Sequence, residues 1–100
     1  MMFARHVTLK LRPGALGIAA NIFSESALPL LRQRFGFVGA LMLGDDSAGL
    51  GIILILWQQA EDSERLEVEG FDREQIRKFV DVLRDPPEPK LLSVEVINFL

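Results

Sequence analysis

The sequence predicts an α+β fold, and three features predict it. The run from Leu50 to Trp57 is apolar at every position from Ile52 onward, which is typical of a central strand that is covered on both faces. It is too short to cross a bilayer, and its isoleucines favour a strand over a buried helix. The run from Phe3 to Arg12 alternates between apolar and polar side chains, which indicates a second strand. Segments with helical spacing separate these apolar runs, so a sheet with two helices is expected.

Length and composition indicate a single globular domain over residues 1–100. Hydrophobic residues make up 49% of the chain and charged residues 25%, which excludes a disordered protein. The hydrophobic share is high for so small a domain, so a second copy of the chain is expected to cover part of the apolar surface. There is no Cys, which excludes disulfides and thiol catalysis.

The net charge and the N-terminal residues indicate which partners and which location to expect. The net charge is −3, and the basic residues are interspersed with acids, so no nucleic-acid partner is expected. The N-terminal residues do not have the pattern of a signal peptide, and no apolar run is long enough for a membrane span. We expect a cytoplasmic protein that does not bind a membrane.

The first helix is predicted from Ala15 to Arg34, directly after Pro13-Gly14 ends the first strand. Pro29 interrupts the pattern, because a proline removes a hydrogen bond and clashes with the preceding turn. A kink or restart is therefore expected near Ser26, which is a suitable cap for the second part. Gly36 is expected to end the helix in the left-handed conformation.

A β-hairpin is predicted next. Phe37 to Leu43 reads as the second strand, and Leu50 to Trp57 as the third. The Gly, Asp and Ser residues between them form a turn cluster, and the adjacent Asp45 and Asp46 are interpreted as turn formers rather than as a catalytic acid pair.

The second half of the chain predicts two further helices and a last strand. Asp62 or Ser63 is a plausible cap for a short helix that ends near Glu69, and Gly70 breaks that helix. Asp72, followed three residues later by Gln75, resembles a capping box that opens a second helix. The apolar stripe of that helix would consist of Ile76, Phe79, Val80 and Leu83. The prolines of residues 86–89 end it, and the fourth strand is predicted from Leu91 to Leu100.

The predicted order of elements is β-α-β-β-α-β. With right-handed crossovers, this order gives one antiparallel sheet with both helices on the same face. This is the ferredoxin-like fold. Its other face would leave the third strand half exposed, although that strand is apolar at both parities. A sheet from an identical chain is the economical cover, which predicts a homodimer.

Three stretches carry a resemblance to a known family. They are the residues from Phe3 to Gly14, the segment Ala27-Leu28-Pro29-Leu30-Leu31-Arg32-Gln33-Arg34-Phe35-Gly36-Phe37, and the strand that ends in Leu56-Trp57. Together they resemble the antibiotic biosynthesis monooxygenase-like domains of the dimeric α/β-barrel superfamily. The resemblance implies a homodimer whose sheets face each other, with a small-molecule cleft between each sheet and its helices.

The activities that the resemblance implies are oxidation of quinol-like aromatics by oxygenases that need no cofactor, and haem degradation. Some members have no known activity. In the quinol-oxidising members a tryptophan acts together with Asn, Tyr and Arg side chains, and this chain has no Tyr. It carries His6 or Val7 where haem-degrading members place an Asn, and its second helical region has no His, so haem degradation is not expected. A lone histidine also excludes a multi-histidine metal site. We expect no cofactor and no metal.

Candidate ligand-cleft residues are Trp57, Arg5 and Phe23. Trp57 lines either the cleft or the core. Arg5 breaks the apolar parity of the first strand, and it either pairs with Glu95 on a neighbouring strand or binds an anion. The side chains expected at the dimer face are His6, Thr8, Leu54 and Leu56. No catalytic residue is identified from the sequence.

The sequence is compatible with two functions. The first is a cofactor-independent monooxygenase acting on a hydrophobic aromatic, quinol-like substrate. The second is a small-molecule-binding or purely structural dimer without catalysis. The shortage of acids, bases and nucleophiles favours this second function.

Overall fold

The computed structural model describes residues 1–100 and contains one antiparallel sheet with its helices on one face. The strands are β1 (Phe3–Lys10), β2 (Phe37–Asp45), β3 (Leu50–Trp57) and β4 (Glu88–Ser93). The helices are α1 (Leu16–Ile22), α2 (Leu28–Leu31), α3 (Ala60–Val68) and α4 (Phe71–Phe79), and a π-helical segment (Phe23–Ala27) joins α1 to α2. None of these helices is both long and apolar enough to span a membrane.

The strand order in the sheet is β2-β3-β1-β4, which confirms the ferredoxin-like fold. The predicted hairpin of β2 and β3 is present, with Leu41 opposite Leu54. On the other side of β3, Leu54 is opposite His6 of β1. The two apolar strands therefore occupy the middle of the sheet, as the uninterrupted apolar run of β3 predicts.

The first helix is not simply kinked. Its middle turn is π-helical, and the Leu28 N–H donates to the carbonyl of Phe23, five residues back. Pro29 follows immediately and has no N–H, so the hydrogen bond that it would donate to the preceding turn is missing. The wider π-helical turn accommodates this loss. The expectation that Ser26 caps the second part is wrong, because no side chain caps α2 and the Ser26 hydroxyl contacts α4 instead. Gly36 is left-handed as predicted, with φ of +85°, but it does not end the helix, because α2 ends at Leu31 rather than Arg34 and a turn over residues 32–36 follows it.

The fourth strand differs most from its prediction. It spans Glu88–Ser93 rather than residues 91–100, and Pro89 lies opposite Val7. Proline is tolerated here because β4 is an edge strand, paired only with β1. Beyond Ser93, the Val94 N–H donates to the Met2 carbonyl at 2.9 Å, and the following residues run past the N-terminal end of β1 and form no strand.

Both helix starts in the second half were also predicted incorrectly. Gln59, not Asp62 or Ser63, is the N-cap of α3, and Asp62 occupies the third helical position of a capping box, where its carboxylate accepts the Gln59 N–H at 3.1 Å. The N-cap of α4 is Gly70, so Asp72 does not cap and its side chain is free for another partner.

The apolar face of the last helical region is shifted from the predicted stripe. Phe79 and Leu83 are buried, but α4 ends at Phe79 and not at the prolines, so Leu83 lies beyond the helix. Ile76 and Val80 are 40% and 61% exposed. Gln75 is buried in their place.

The core lies between the helices and the side of the sheet that faces them. Its buried side chains are Leu9, Leu11, Ala15, Ala19, Phe23, Ala27, Leu31, Ile53, Ile55, Trp57, Leu66, Phe79, Val82 and Leu83. Side chains at the opposite parity form what we call the open face, because no helix covers it. Its central members are Ala4, His6, Thr8, Leu41, Leu43, Ile52, Leu54, Leu56 and Leu92.

Candidate functional site

A cleft, which we call the helix-side cleft, lies between the sheet and the helices. Its floor consists of side chains from β1 and β3, and its walls come from the π-helical segment, α4 and the proline segment before and within β4. Its volume is about 80 Å³. Most of its lining is apolar, contributed by Val7, Leu9, Phe23, Ala27, Ile53, Ile55, Phe71, Ile76, Phe79, Pro87 and Pro89. The polar exceptions are Arg5, Asp72 and Gln75.

Arg5 places a positive charge at the floor of the cleft. Its side chain is only 11% exposed, and its Nη2 donates to Oδ2 of Asp72 in the first turn of α4. Glu67 of α3 is a second, more distant partner at 3.9 Å from Nη1. A guanidinium stays charged at any physiological pH, so at this depth it requires an anion beside it.

Burial raises the pKa of the Asp72 carboxyl above its ordinary value of 3.8. The charge of Arg5 opposes this increase, and the nearby charge of Glu67 adds to it. The loss of water around the carboxylate therefore outweighs the attraction of its partner. A carboxyl with a raised pKa in a cleft is a candidate for proton transfer.

A second polar group fixes the π-helical segment to α4. The Ser26 hydroxyl donates to Oε1 of Gln75 at 3.3 Å, and the Lys78 ammonium donates to the Ser26 oxygen at 2.5 Å. Gln75 is buried, so this contact supplies a partner that its amide would otherwise lack. The arrangement holds one wall of the cleft against the other.

The structure brings two of the three predicted cleft residues, Arg5 and Phe23, into the lining. It places the third, Trp57, in the core: its side chain is fully buried, stacks edge-on against Phe37 at 5.9 Å, and does not line the cleft. Its indole N–H has no hydrogen-bond partner. The sequence left open whether Trp57 lines the cleft or lies in the core, and the structure places it in the core.

The predicted pairing of Arg5 with Glu95 is wrong. Glu95 accepts a hydrogen bond from the Ser93 hydroxyl, and Arg5 pairs with Asp72 and Glu67. Sequence reasoning missed Asp72 as a site residue because its spacing to Gln75 was interpreted as a cap. Arg5 itself could have indicated Asp72, because a buried arginine predicts an acidic side chain in the layer that covers it.

The four predicted dimer-face residues all project to the open face. Leu54 is paired with His6, Thr8 lies two residues further along β1, and Leu56 is opposite Ala4. The Nδ1 atom of His6 is buried without a hydrogen-bond partner. Coverage of this face by a second chain stays a prediction.

The acidic turn between β2 and β3 has a structural role, as interpreted from the sequence. The Asp45 carboxylate accepts hydrogen bonds from the Ser47 hydroxyl at 2.7 Å and from the Ala48 N–H at 3.3 Å. The bond from Ser47 is the main cause of a lowered pKa of Asp45. No group of three or more His, Asp and Glu side chains is arranged to hold a metal ion.

Comparison by sequence finds no matching family model and no matching curated protein. Comparison by structure finds close likenesses along almost the whole chain. One is a monooxygenase from the ActVA-Orf6 gene of Streptomyces coelicolor, solved with the ligand nanaomycin D. It is 13% identical with a TM-score of 0.78, covering 98% of this chain and 91% of that one.

Two further structures are equally informative. SnoaB, a cofactor-independent oxygenase from Streptomyces nogalater, is 11% identical with a TM-score of 0.75, covering 96% of this chain and 95% of that one. A protein of unknown function from Nitrosomonas europaea is 17% identical with a TM-score of 0.76, covering 99% and 94%. The chain therefore has the fold of the antibiotic biosynthesis monooxygenase-like proteins. The solved structures that share this fold include both enzymes and a protein of unknown function.

Proposed function

We propose that this protein is a homodimeric, cofactor-independent monooxygenase that oxidises a hydrophobic aromatic, quinol-like compound in the helix-side cleft. The observation that carries the proposal is an apolar cleft with one buried ion pair, Arg5–Asp72, at its floor. The shared fold of the two Streptomyces oxygenases supports it. The absence of Cys fits a reducing compartment such as the cytoplasm.

The ion pair supplies the groups that such a reaction requires from the protein. Oxidation of an anthrone by O2 converts a ring CH₂ group to C=O, and the second oxygen atom leaves as water. Before oxygen reacts, the substrate loses a proton and becomes an electron-rich anion. Asp72 is the one carboxylate in the cleft lining, and we assign it as the acceptor of that proton. Arg5 is then free to stabilise the oxygen anion of the substrate.

The open face supports the homodimer. Leu41 and Leu43 in β2 are 40% and 50% exposed, and they extend the apolar surface of Leu54 on the neighbouring strand. A contiguous apolar surface on a sheet is typical of a contact between chains. A second copy presents the same surface and buries both.

Sedimentation tests the homodimer with two matched variants. Leu41→Glu places a charge on the open face, whereas Leu30→Glu places one on α2 at a residue that is 46% exposed. We expect Leu41→Glu to sediment as a monomer, and Leu30→Glu and the wild type to sediment as dimers. A monomeric wild type at micromolar concentration would contradict the homodimer.

Oxygen consumption tests the activity. We expect the wild type to consume O2 with anthrone or a naphthoquinol above the rate without protein, and to yield the oxidised ring in mass spectra. Asp72→Asn should lose this activity, because an amide cannot accept the proton. Glu69→Gln is the matched control, since Glu69 pairs with Arg34 outside the cleft. No uptake above the background with any compound would contradict the proposal.

The cleft volume favours one alternative function, a binding protein without catalysis. A volume of about 80 Å³ is small for a polycyclic compound, because sites for drug-sized ligands are typically several hundred Å³. Binding of an aromatic compound without any product would establish this alternative.

A further inference from the structure

Arg5 is the one charged side chain on the helix-facing side of the two central strands. The other residues of β1 and β3 at this parity are Phe3, Val7, Leu9, Gly51, Ile53, Ile55 and Trp57. Such a surface packs against helices without any help from a cation. A guanidinium here gives up most of its contact with water, which is costly unless an anion compensates. Apolar packing alone does not account for Arg5.

The Asp72 carboxylate is held by this cation alone. Its side chain is 26% exposed, more than twice the exposure of Arg5, and it accepts hydrogen bonds from no other group. It lies just after Gly70, whose φ of +83° marks the junction between α3 and α4. Burial of the carboxylate raises its pKa, so the ionised form is not well accommodated. The anionic group of a ligand can therefore displace the Asp72 carboxylate from Arg5.

The surroundings of Arg5 define the rest of a ligand. Beyond the ion pair, the cleft offers the apolar side chains of Val7, Ile55, Phe71 and Phe79 and the buried amide of Gln75. A molecule that is anionic at one end and apolar along its body matches this arrangement. The planar guanidinium is suited to bind both oxygens of a carboxylate, or a single phenolate oxygen.

We infer that the helix-side cleft selects aromatic compounds that carry an anionic oxygen, and that Arg5 binds this oxygen in place of Asp72. This inference rests on the proposed function for the location of the site and adds the class of ligand. It assigns Arg5 as the residue that determines specificity and Asp72 as an internal competitor of the ligand.

Paired ligands and variants test the inference. Benzoate and benzamide have nearly the same shape and differ in charge, and their dissociation constants are measured under nitrogen by NMR titration of the methyl signals. We expect the wild type to bind benzoate about tenfold more tightly than benzamide, as a charge-assisted pair should give. Arg5→Met should abolish that preference. Asp72→Asn should strengthen benzoate binding by about threefold or more, because the competing carboxylate is gone.

Arg34→Met is the matched control for Arg5→Met, because Arg34 pairs with Glu69 outside the cleft. It should keep the preference of the wild type. Equal affinities of the wild type for the two ligands, binding of neither, or an unchanged or weaker affinity of Asp72→Asn for benzoate would overturn the inference. If Arg5→Met does not fold, the ligand pair and Asp72→Asn still decide the matter.

These outcomes are separate from those of the oxygenase test, because the titration involves neither oxygen nor turnover. A preference for benzoate without oxygen uptake in the quinol experiment would contradict the oxygenase alone. Oxygen uptake with neutral compounds, without any preference for benzoate, would contradict the anion-binding role of Arg5 alone.

Discussion

The guanidinium of Arg5 donates a hydrogen bond to the carboxylate of Asp72, 67 residues further along the chain. The first residue lies on the second strand from the edge of the sheet, and the other lies in the first turn of α4. The pair therefore links the floor of the cleft to the helix that forms its wall. The same contact contributes to the stability of the fold and determines the charge of the site.

Replacing Arg5 by Met should make stability more dependent on pH. Without Arg5, burial and the charge of Glu67 both raise the pKa of Asp72, and nothing opposes them. A carboxyl whose pKa in the folded state is above its unfolded value destabilises the fold while it is ionised, and recovers stability as the pH falls through the folded pKa. We expect the free energy of unfolding to fall by about 1–3 kcal/mol near neutral pH. This is less than the loss for a fully buried ion pair, because Asp72 is partly exposed.

Urea denaturation over a range of pH measures this effect. The difference between Arg5→Met and the wild type should shrink as the pH is lowered from neutral toward about 4. Arg34→Met removes a more exposed ion pair and should cost less than about 1 kcal/mol at any pH. A difference for Arg5→Met that stays constant with pH would contradict the assigned role of Asp72.

Gly36→Ala should be strongly destabilising. Gly36 has φ of +85°, and an added Cβ would lie 2.0 Å from Oδ2 of the buried Asp62. The substitution combines backbone strain with displacement of the carboxylate that closes the capping box of α3. We expect a loss of about 2–4 kcal/mol in the free energy of unfolding.

Gly14→Ala separates the two contributions. Gly14 has φ of +74°, but an added Cβ meets no atom within 4 Å. It should cost only about 1 kcal/mol, the strain of the left-handed conformation. Equal losses for the two variants would show that the contact with Asp62 contributes nothing.

Trp57→Phe should leave ligand binding intact. The side chain is fully buried and lies outside the cleft lining, so affinities for benzoate and for quinols should stay within about twofold of the wild type. The smaller ring leaves a void, whereas removal of the buried, unpaired indole N–H is favourable. Together these effects should lower the free energy of unfolding by about 1–2 kcal/mol. A large loss of affinity in a folded variant would place Trp57 in the site after all.

Ser47→Ala should raise the pKa of Asp45 toward 3.8, because the hydroxyl of Ser47 is the main cause of the lowered value. A lowered pKa in the folded state stabilises the fold above the unfolded pKa, and this contribution is lost as the pH falls through the folded pKa. The variant should therefore show a weaker decrease of stability in acid. NMR titration of the Asp45 carboxyl measures the shift, with Ser93→Ala, at the other end of the sheet, as the control.

The parts of the fold that depend on local pattern were predictable from the sequence. Leu50–Trp57 has the predicted bounds, because an apolar run between turn residues has few alternatives to a buried strand. The fourth strand was not predicted correctly, because Pro89 is acceptable only on an edge and strand order is not visible locally. The π-helical turn before Pro29 was not predicted either, because a missing proline N–H is compatible with a kink as well as with a wider turn.

The site was predictable only in part, for a related reason. Arg5 stood out because a charge interrupts an apolar parity, and it does line the cleft. Its partner Asp72 was not identified, because a contact across 67 residues depends on tertiary structure. Trp57 shares the parity of the cleft residues, but it lies at the end of β3, opposite Phe37, where the core closes around it.

The most direct test of the central claim, that the helix-side cleft is the ligand site, is a methyl-detected NMR titration of the wild type with a naphthoquinol under nitrogen. We expect shifts at Val7, Ile53 and Ile55, which line the cleft, and unchanged signals at Leu41 and Leu43 on the open face. Shifts confined to the open face, with unchanged cleft signals, would contradict it.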